Sequence, residues 1–488
     1  MTRRKGLRSL RLRAALLLVC VLPGAHGTEY TPENLYDAHY AHLANGLDVF
    51  LKPQRDVHNV AIRLVVHVGV YDFDCGKTET AHFLEHLLFT GTSQHSEAEL
   101  DALIEDNGGT WNASTGGEKT IYEIDIYSRY ALQALDVLYE IMTDSQFKDE
   151  DIETTRDIVH REMGGKPSRM RQWLYRLGVG KEAEDKAAEY LWAPHYNCPE
   201  IESAAAITRE DIINAAASWY VPNNMALIVV GDFDRDMLMQ HIEDSFGQLS
   251  YRPLAERTDD ARPAFDGPVE VSGTLAPILG TDAVVRVSFP VSGYLSPDIF
   301  QLLVLDEYLQ VALFNDLRVQ SGLSYAPASS LGFDRNAGVL SLSADVNLGN
   351  VEPTLRRLVA HVQRLHEQPL GQDAVDLARR RILLKYVQGY QANASIADHY
   401  AAMWRRFERD GQFTNLETAL ASVTADSVNA LVASQLRLES AVLIRDVPAL
   451  TYTQFYLGIA LLTTGAGVLV WLVYRRIRRH RSKSRAVR

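Results

Sequence analysis

The 488-residue chain predicts an α+β protein of two homologous α/β-sandwich domains, each an antiparallel-rich sheet flanked by helices, followed by a C-terminal transmembrane helix. Three observations carry that expectation. Strand-like and helix-like patterns alternate from about residue 47, stop in a Pro/Gly-punctuated stretch at 251–272 (Arg252-Pro253, Arg262-Pro263, Gly267-Pro268), and then begin again. The two halves end alike: Thr208 opens a helix leading to Ala226-Leu227-Ile228-Val229, and Thr424 opens one leading to Val442-Leu443-Ile444, with Thr208/Thr424 and Leu227/Leu443 each 216 positions apart. Finally, Phe455 to Tyr474 holds twenty residues without a charge, enough helix to cross a hydrocarbon core.

At the N-terminus, Arg3, Arg4, Lys5, Arg8, Arg11 and Arg13 precede the short apolar run Ala14 to Leu22 and the small-residue pattern Ala25-His26-Gly27. This reads as a signal peptide over 1–27. Leu47 to Leu51 and Val60 to Val70, rich in Val and Ile, read as strands. Thr78 to Phe89 and Glu97 to Asn107 read as helices, the second stopped by Gly108-Gly109. Residues 110–126 return to strand, 130–144 and 148–163 to helix, and Ala226 to Gly231 is a short buried strand. The N-terminal domain therefore spans 28–250 and the linker 251–272. In the C-terminal domain, 273–450, Val284 to Phe289 and Gly338 to Val346 read as strands, with helices over 298–321 and from Glu352 onward.

Aromatic residues flank the apolar segment 455–474, and the tail 475–488 carries eight Lys or Arg and no acid. By the positive-inside rule the tail is cytoplasmic. The body then lies outside the cytoplasm on a single-pass anchor, which suits the periplasmic face of a bacterial inner membrane. The formal net charge is −13; setting aside six positive charges at the N-terminus and eight in the tail leaves −27 on the body. Such a body excludes nucleic acid as a partner and is compatible with basic peptides. Cys75 and Cys198 remain after removal of the signal. Their spacing alone decides neither for nor against a disulfide.

The chemistry-bearing motif is His82-Phe83-Leu84-Glu85-His86, H-x-x-E-H, the inverse of the commoner H-E-x-x-H. On a helix, i and i+4 lie one above the other, so His82 and His86 can share one ion while Glu85 sits on the same face. A zinc hydrolase needs that set: ligands for the metal and a carboxylate that takes a proton from water. Two histidines still need a third ligand, and a carboxylate from another helix is the natural choice.

At this point the sequence resembles the pitrilysin/insulinase family, of the two-domain type similar to mitochondrial processing peptidase beta subunits. The likeness lies in Thr80-Ala81-His82 through Gly91-Thr92, Gly108-Gly109-Thr110-Trp111-Asn112-Ala113 through Tyr122, Arg156 through Met163, Tyr220-Val221-Pro222-Asn223-Asn224, Gly231-Asp232-Phe233, and Leu317-Arg318 through Gly322-Leu323-Ser324-Tyr325. The resemblance implies one Zn2+ per chain on His82, His86 and Glu162, with Glu85 as general base. It implies that Asn112 and Ala113 lie on a strand that pairs with an extended peptide, and that Arg318 and Tyr325 reach the substrate from the second domain. It further implies a membrane-anchored zinc endopeptidase acting on peptides or unfolded segments. The chain would work as a homodimer or with a related inactive chain. One departure stands out: seven positions before Glu162, where such proteins usually carry a supporting Glu, this chain has Thr155, with Glu153 nearby. The competing expectation is a non-catalytic peptide-binding or scaffold subunit of the same fold.

Overall fold

A computed structural model describes residues 35–485 except 167, 178–182, 194–197, 199–203, 205, 255–256, 258–263, 266 and 275–278. The segment expected to be a signal peptide lies outside the described residues.

The first half comprises β1 (His39–His42), β2 (Asp48–Pro53), β3 (Asn59–Val66), α1 (Thr80–Leu88), α2 (Glu97–Glu105), β4 (Thr110–Thr115), β5 (Thr120–Tyr127), α3 (Ala131–Asp144), α4 (Asp149–Glu162), α5 (Arg169–Arg176), α6 (Ala183–Leu191), α7 (Arg209–Trp219), β6 (Met225–Gly231) and α8 (Arg235–Asp244). Its six strands form one sheet in the order β1-β2-β6-β3-β5-β4. β2 runs parallel to β6 and every other pair is antiparallel. The second half comprises β7 (Val269–Thr274), β8 (Asp282–Ser292), α9 (Ile299–Leu313), β9 (Ala328–Phe333), β10 (Ala337–Asn347), α10 (Val351–Glu367), α11 (Gln372–Gly389), α12 (Asn393–Asp410), α13 (Leu416–Ala421), α14 (Ala425–Gln435) and β11 (Val442–Val447). Its sheet runs β7-β11-β8-β10-β9. β7 is parallel to β11 and the rest are antiparallel. That order repeats β2-β6-β3-β5-β4, and Leu227 and Leu443, 216 positions apart, occupy equivalent central strands.

Three elements differ from the sequence expectation. β7 begins at Val269, inside the stretch expected to be linker, because its parallel pairing with β11 draws it into the sheet. The helix expected over 298–321 ends as α9 at Leu313 and continues as a wider π-type segment, Phe314–Gln320. The extended stretch 110–126 is a hairpin, β4 turning into β5.

Central strands read as unbroken apolar runs because both sheet faces are covered. On β3, Val60, Ile62, Leu64 and Val66 join the core beneath α3 and α8, while Ala61 and Val65 face Ile396, Ala397, Tyr400 and Trp404 of α12. Thus a helix from the second half covers the first sheet. The exchange is mutual, since Ala183, Ala187 and Leu191 of α6 pack on Val271, Val442 and Ile444 of the second sheet. Arg63, buried on the α12 side of β3, is held by Asp125 at 3.1 Å and by Asp398 of α12 at 2.6 Å.

The last helix, α15 (Tyr452–Arg485), is long and apolar enough over Tyr452–Arg476 to cross a membrane, by length and composition, and none of its most apolar window is buried against the rest of the protein.

Candidate metal centre

α1 is wedged between α4 and α7. Phe83, Leu84 and Leu87 pack with Ile152 and Val159 of α4 and Ile212 and Ala215 of α7. That burial fixes the roll of the helix, so the remaining stripe, His82, Glu85 and His86, faces α4 and β4. Arg156 pins α4 from the far side: it donates to the Ala204 and Ile207 carbonyls and lies over the Phe83 ring at 5.3 Å. Cys75, shortly before α1, forms a disulfide with Cys198. The bridge closes a loop that contains every metal-centre residue of the first half.

His82 Nε2 and His86 Nε2 lie 3.2 Å apart, and Glu162 Oε2 is 3.2 Å from the first and 3.4 Å from the second. A tetrahedral zinc ion with bonds of about 2.1 Å spaces its ligands by about 3.4 Å, so these three atoms fit one such ion. They are the one group of three such side chains among the described residues that is close enough to hold a metal. Glu162 ends α4 and is 49% exposed, which leaves the fourth side open.

Glu85 is only 9% exposed, and its Oε2 accepts a hydrogen bond from the Thr115 hydroxyl at the end of β4. Among the described residues nothing else hydrogen-bonds this carboxylate. Behind it, the Tyr122 and Tyr220 hydroxyls are bonded to each other at 2.9 Å. Burial, together with the nearby Glu85 charge, holds both phenols protonated well above their usual range.

β4 forms one edge of the first sheet, pairing only with β5. Asn112 is exposed and Ala113 faces the core. Both line a cavity of about 320 Å³ with Glu85, His86, Phe89 and Thr155. Glu97 and Asp151 add two acids to its wall. The structure therefore brings Asn112 and Ala113 to the metal residues. Arg318 and Tyr325 are brought to each other instead: the Arg318 guanidinium lies 4.3 Å from the Tyr325 ring centre, and Tyr325 is 73% exposed. No hydrogen bond, ion pair or ring contact among the described residues joins that pair to the metal-centre side chains. Its loop is held by Asp345, which accepts from Ser324 and from the Ala326 N–H, and by Gly322 at φ +59.

Thr155 is 1% exposed and lines the same cavity, so no carboxylate supports the site from that position. Glu153 does not replace it: its side chain is exposed and paired with Arg156. Two contributors escaped the sequence reading. One is Thr115, whose signal was the alternation that aims residues 111, 113 and 115 of β4 inward. The other is Glu79, three residues before His82, whose carboxylate lies 2.8 Å from His82 Nδ1.

Comparison with known proteins places these features in one family. Residues 49–176 match the family model Insulinase (Peptidase family M16), and residues 206–382 match Peptidase M16 inactive domain. The chain is 26% identical over 279 residues to the probable mitochondrial-processing peptidase subunit beta of Arabidopsis thaliana, covering 55% of this chain and 49% of that protein. It thus spans about half the length of that relative. An uncharacterized zinc protease of Rickettsia felis is 23% identical, covering 74% of this chain and 86% of its own. Among solved structures, a protease from Helicobacter pylori shares the fold with a TM-score of 0.73 at 19% identity, covering 84% of this chain and 99% of its own. The periplasmic protease PqqL from Escherichia coli does so with a TM-score of 0.66 at 16% identity, covering 84% of this chain and 47% of its own.

Proposed function

Because the chain belongs to the insulinase (peptidase M16) family, we propose that it is a membrane-anchored zinc endopeptidase that cleaves peptides or unfolded segments outside the cytoplasm. The observation that carries the reading is the convergence of His82, His86 and Glu162 on one point, with the Glu85 carboxylate on the same helix face. Those three residues hold the ion, one per chain. Bound zinc supplies Lewis acidity, lowering the pKa of water and polarising a peptide carbonyl. Glu85 takes the proton of the attacking water on the oxygen that Thr115 leaves free and passes it to the leaving amine. The open edge of β4 at Asn112-Ala113 pairs with the substrate backbone, which admits extended chains with little side-chain selection. Arg318 and Tyr325 act on the substrate from the second half, as positive and hydroxyl donors toward the developing oxyanion.

The address rests on three features: the basic, apolar start of the sequence, the Cys75–Cys198 disulfide, which belongs to an oxidising compartment, and the apolar span at Tyr452–Arg476 followed by the basic tail. The open metal face and the structural match that takes 84% of this chain but 47% of the Escherichia coli protease support a paired particle, either two copies of this chain or this chain with a related inactive one.

A scaffold or peptide-binding role is the second reading. It is favoured by the inactive-domain description of residues 206–382 and by Thr155, and opposed by the intact metal residues, which lie in the other matched segment. The variant Glu85→Gln separates the two. The enzyme reading expects it to retain about one zinc per chain and to lose cleavage of an unstructured peptide by a factor of 100 or more, the scale of general acid–base catalysis. Undiminished cleavage by that variant removes Glu85 as the general base, and a wild-type chain that binds zinc but cleaves nothing returns the scaffold reading.

A further inference from the structure

Glu79 occupies the residue just before α1, a position that normally goes to a short side chain able to accept from the first-turn N–H groups. Its carboxylate makes no such bond. It turns instead along the helix to His82 Nδ1, 2.8 Å away, with its side chain 14% exposed. His82 is therefore strung between two partners. Nδ1–H donates to Glu79, and Nε2 faces His86 Nε2 and Glu162 Oε2 at 3.2 Å each. A carboxylate on Nδ1 favours the tautomer that keeps a proton there, which would leave Nε2 for an ion at the point where the three ligand atoms meet. His86 has no equivalent support, since no hydrogen bond among the described residues reaches its Nδ1. Neither Thr155 nor the outward-facing Glu153 offers a carboxylate from α4.

We propose that Glu79 is the positioning carboxylate of this metal centre, holding His82 as an oriented ligand from within the metal helix itself. The inference rests on the zinc reading above and adds a residue to it. It makes the working motif Glu79-x-x-His82-x-x-Glu85-His86, a unit whose two acids have different tasks. Glu79 touches a ligand and not the substrate, so it positions and does not catalyse.

The bland alternative is a carboxylate that stabilises the start of α1 through the helix dipole. Zinc binding and metal-free stability, measured separately, distinguish them. The probe is Zn2+ itself, titrated into the metal-free full chain in detergent against a chromogenic chelator. Glu79→Ala is expected to weaken zinc binding by about 10- to 100-fold, the range for supporting partners of metal ligands. Its metal-free melting midpoint should stay at the wild-type value. Adding Thr155→Glu to Glu79→Ala is expected to recover part of the lost affinity by supplying a carboxylate from α4. The inference is overturned if Glu79→Ala binds zinc as wild type does. It is equally overturned if affinity falls only in step with a lower metal-free midpoint, which is the helix-dipole outcome. A wild-type chain that binds no zinc sinks the zinc reading itself, a result readily told apart from a zinc-binding wild type with an indifferent Glu79→Ala.

Discussion

At the scale of single residues, the metal centre divides by how far its members lie apart in the chain. His82, Glu85 and His86 sit within one helical turn and a half, so periodicity alone puts them on one face. Glu162 lies on another helix, and nothing in local spacing points to it; only the wider resemblance does. Its geometry is that of the one anionic member of the triad, 3.2 Å and 3.4 Å from the two imidazoles. Glu162→Gln keeps the shape but removes the charge that offsets a divalent cation. Zinc affinity is therefore expected to fall by more than the roughly 100-fold at the upper end for supporting residues, while the metal-free melting midpoint barely moves because this side chain is half exposed. Chelator competition and thermal unfolding of the metal-free chain check the two halves of that statement. Glu79 was readable in principle as E-x-x-H at i, i+3. A surface Glu before a helix is common enough, however, that only the observed bond gives it meaning.

Among the elements, β4 and α1 define the working surface. The alternation in Thr110–Thr115 gave the strand and its faces, but whether it lay at an edge depended on which strands pair, which no local pattern records. The edge is what makes a substrate role possible. Along an antiparallel strand, alternate N–H groups point to opposite sides, so Asn112 and Ala113 direct one N–H toward β5 and one toward the open edge. Proline at each position removes one of these donors. One of the two variants, Asn112→Pro or Ala113→Pro, is expected to raise KM by about 10-fold, near 1.4 kcal/mol, with zinc content and stability kept. The other is expected to lower the melting midpoint by breaking the ladder to β5. Peptide-cleavage kinetics alongside thermal unfolding read both, and equal effects from the two would remove β4 as a substrate strand. The interruption of the helix after Leu313 by a π-type segment was invisible in the apolar pattern, because a wider turn shifts side chains without changing their composition.

For the whole molecule, the repeat of strand order was legible from two helix–strand junctions 216 positions apart, but the exchange of covering helices was not. An amphipathic stripe on α12 says that the helix must bury a face, not which sheet receives it. In the fold it lies on the first sheet, and α6 lies on the second, so neither half keeps its core covered alone. His399 of α12 sits in this joint, beside the rings of Tyr386, Tyr390 and Tyr400, with its Nε2 3.4 Å from the Tyr386 hydroxyl. Burial alone drives its pKa down to about 4 from the ordinary 6.5. The folded imidazole is therefore neutral at pH values where the unfolded one is charged. Between pH 6.5 and 4 the unfolded chain holds the extra proton, so stability rises with pH across that window. The contribution is complete above 6.5 and is lost as pH falls toward 4, at most about 3 kcal/mol on the scale of 1.36 kcal/mol per pKa unit. His399→Gln, which keeps a polar partner for Tyr386 but cannot titrate, is expected to flatten that part of the melting-midpoint profile relative to wild type. Parallel profiles for the two proteins would show that the joint between the halves is not what acid weakens.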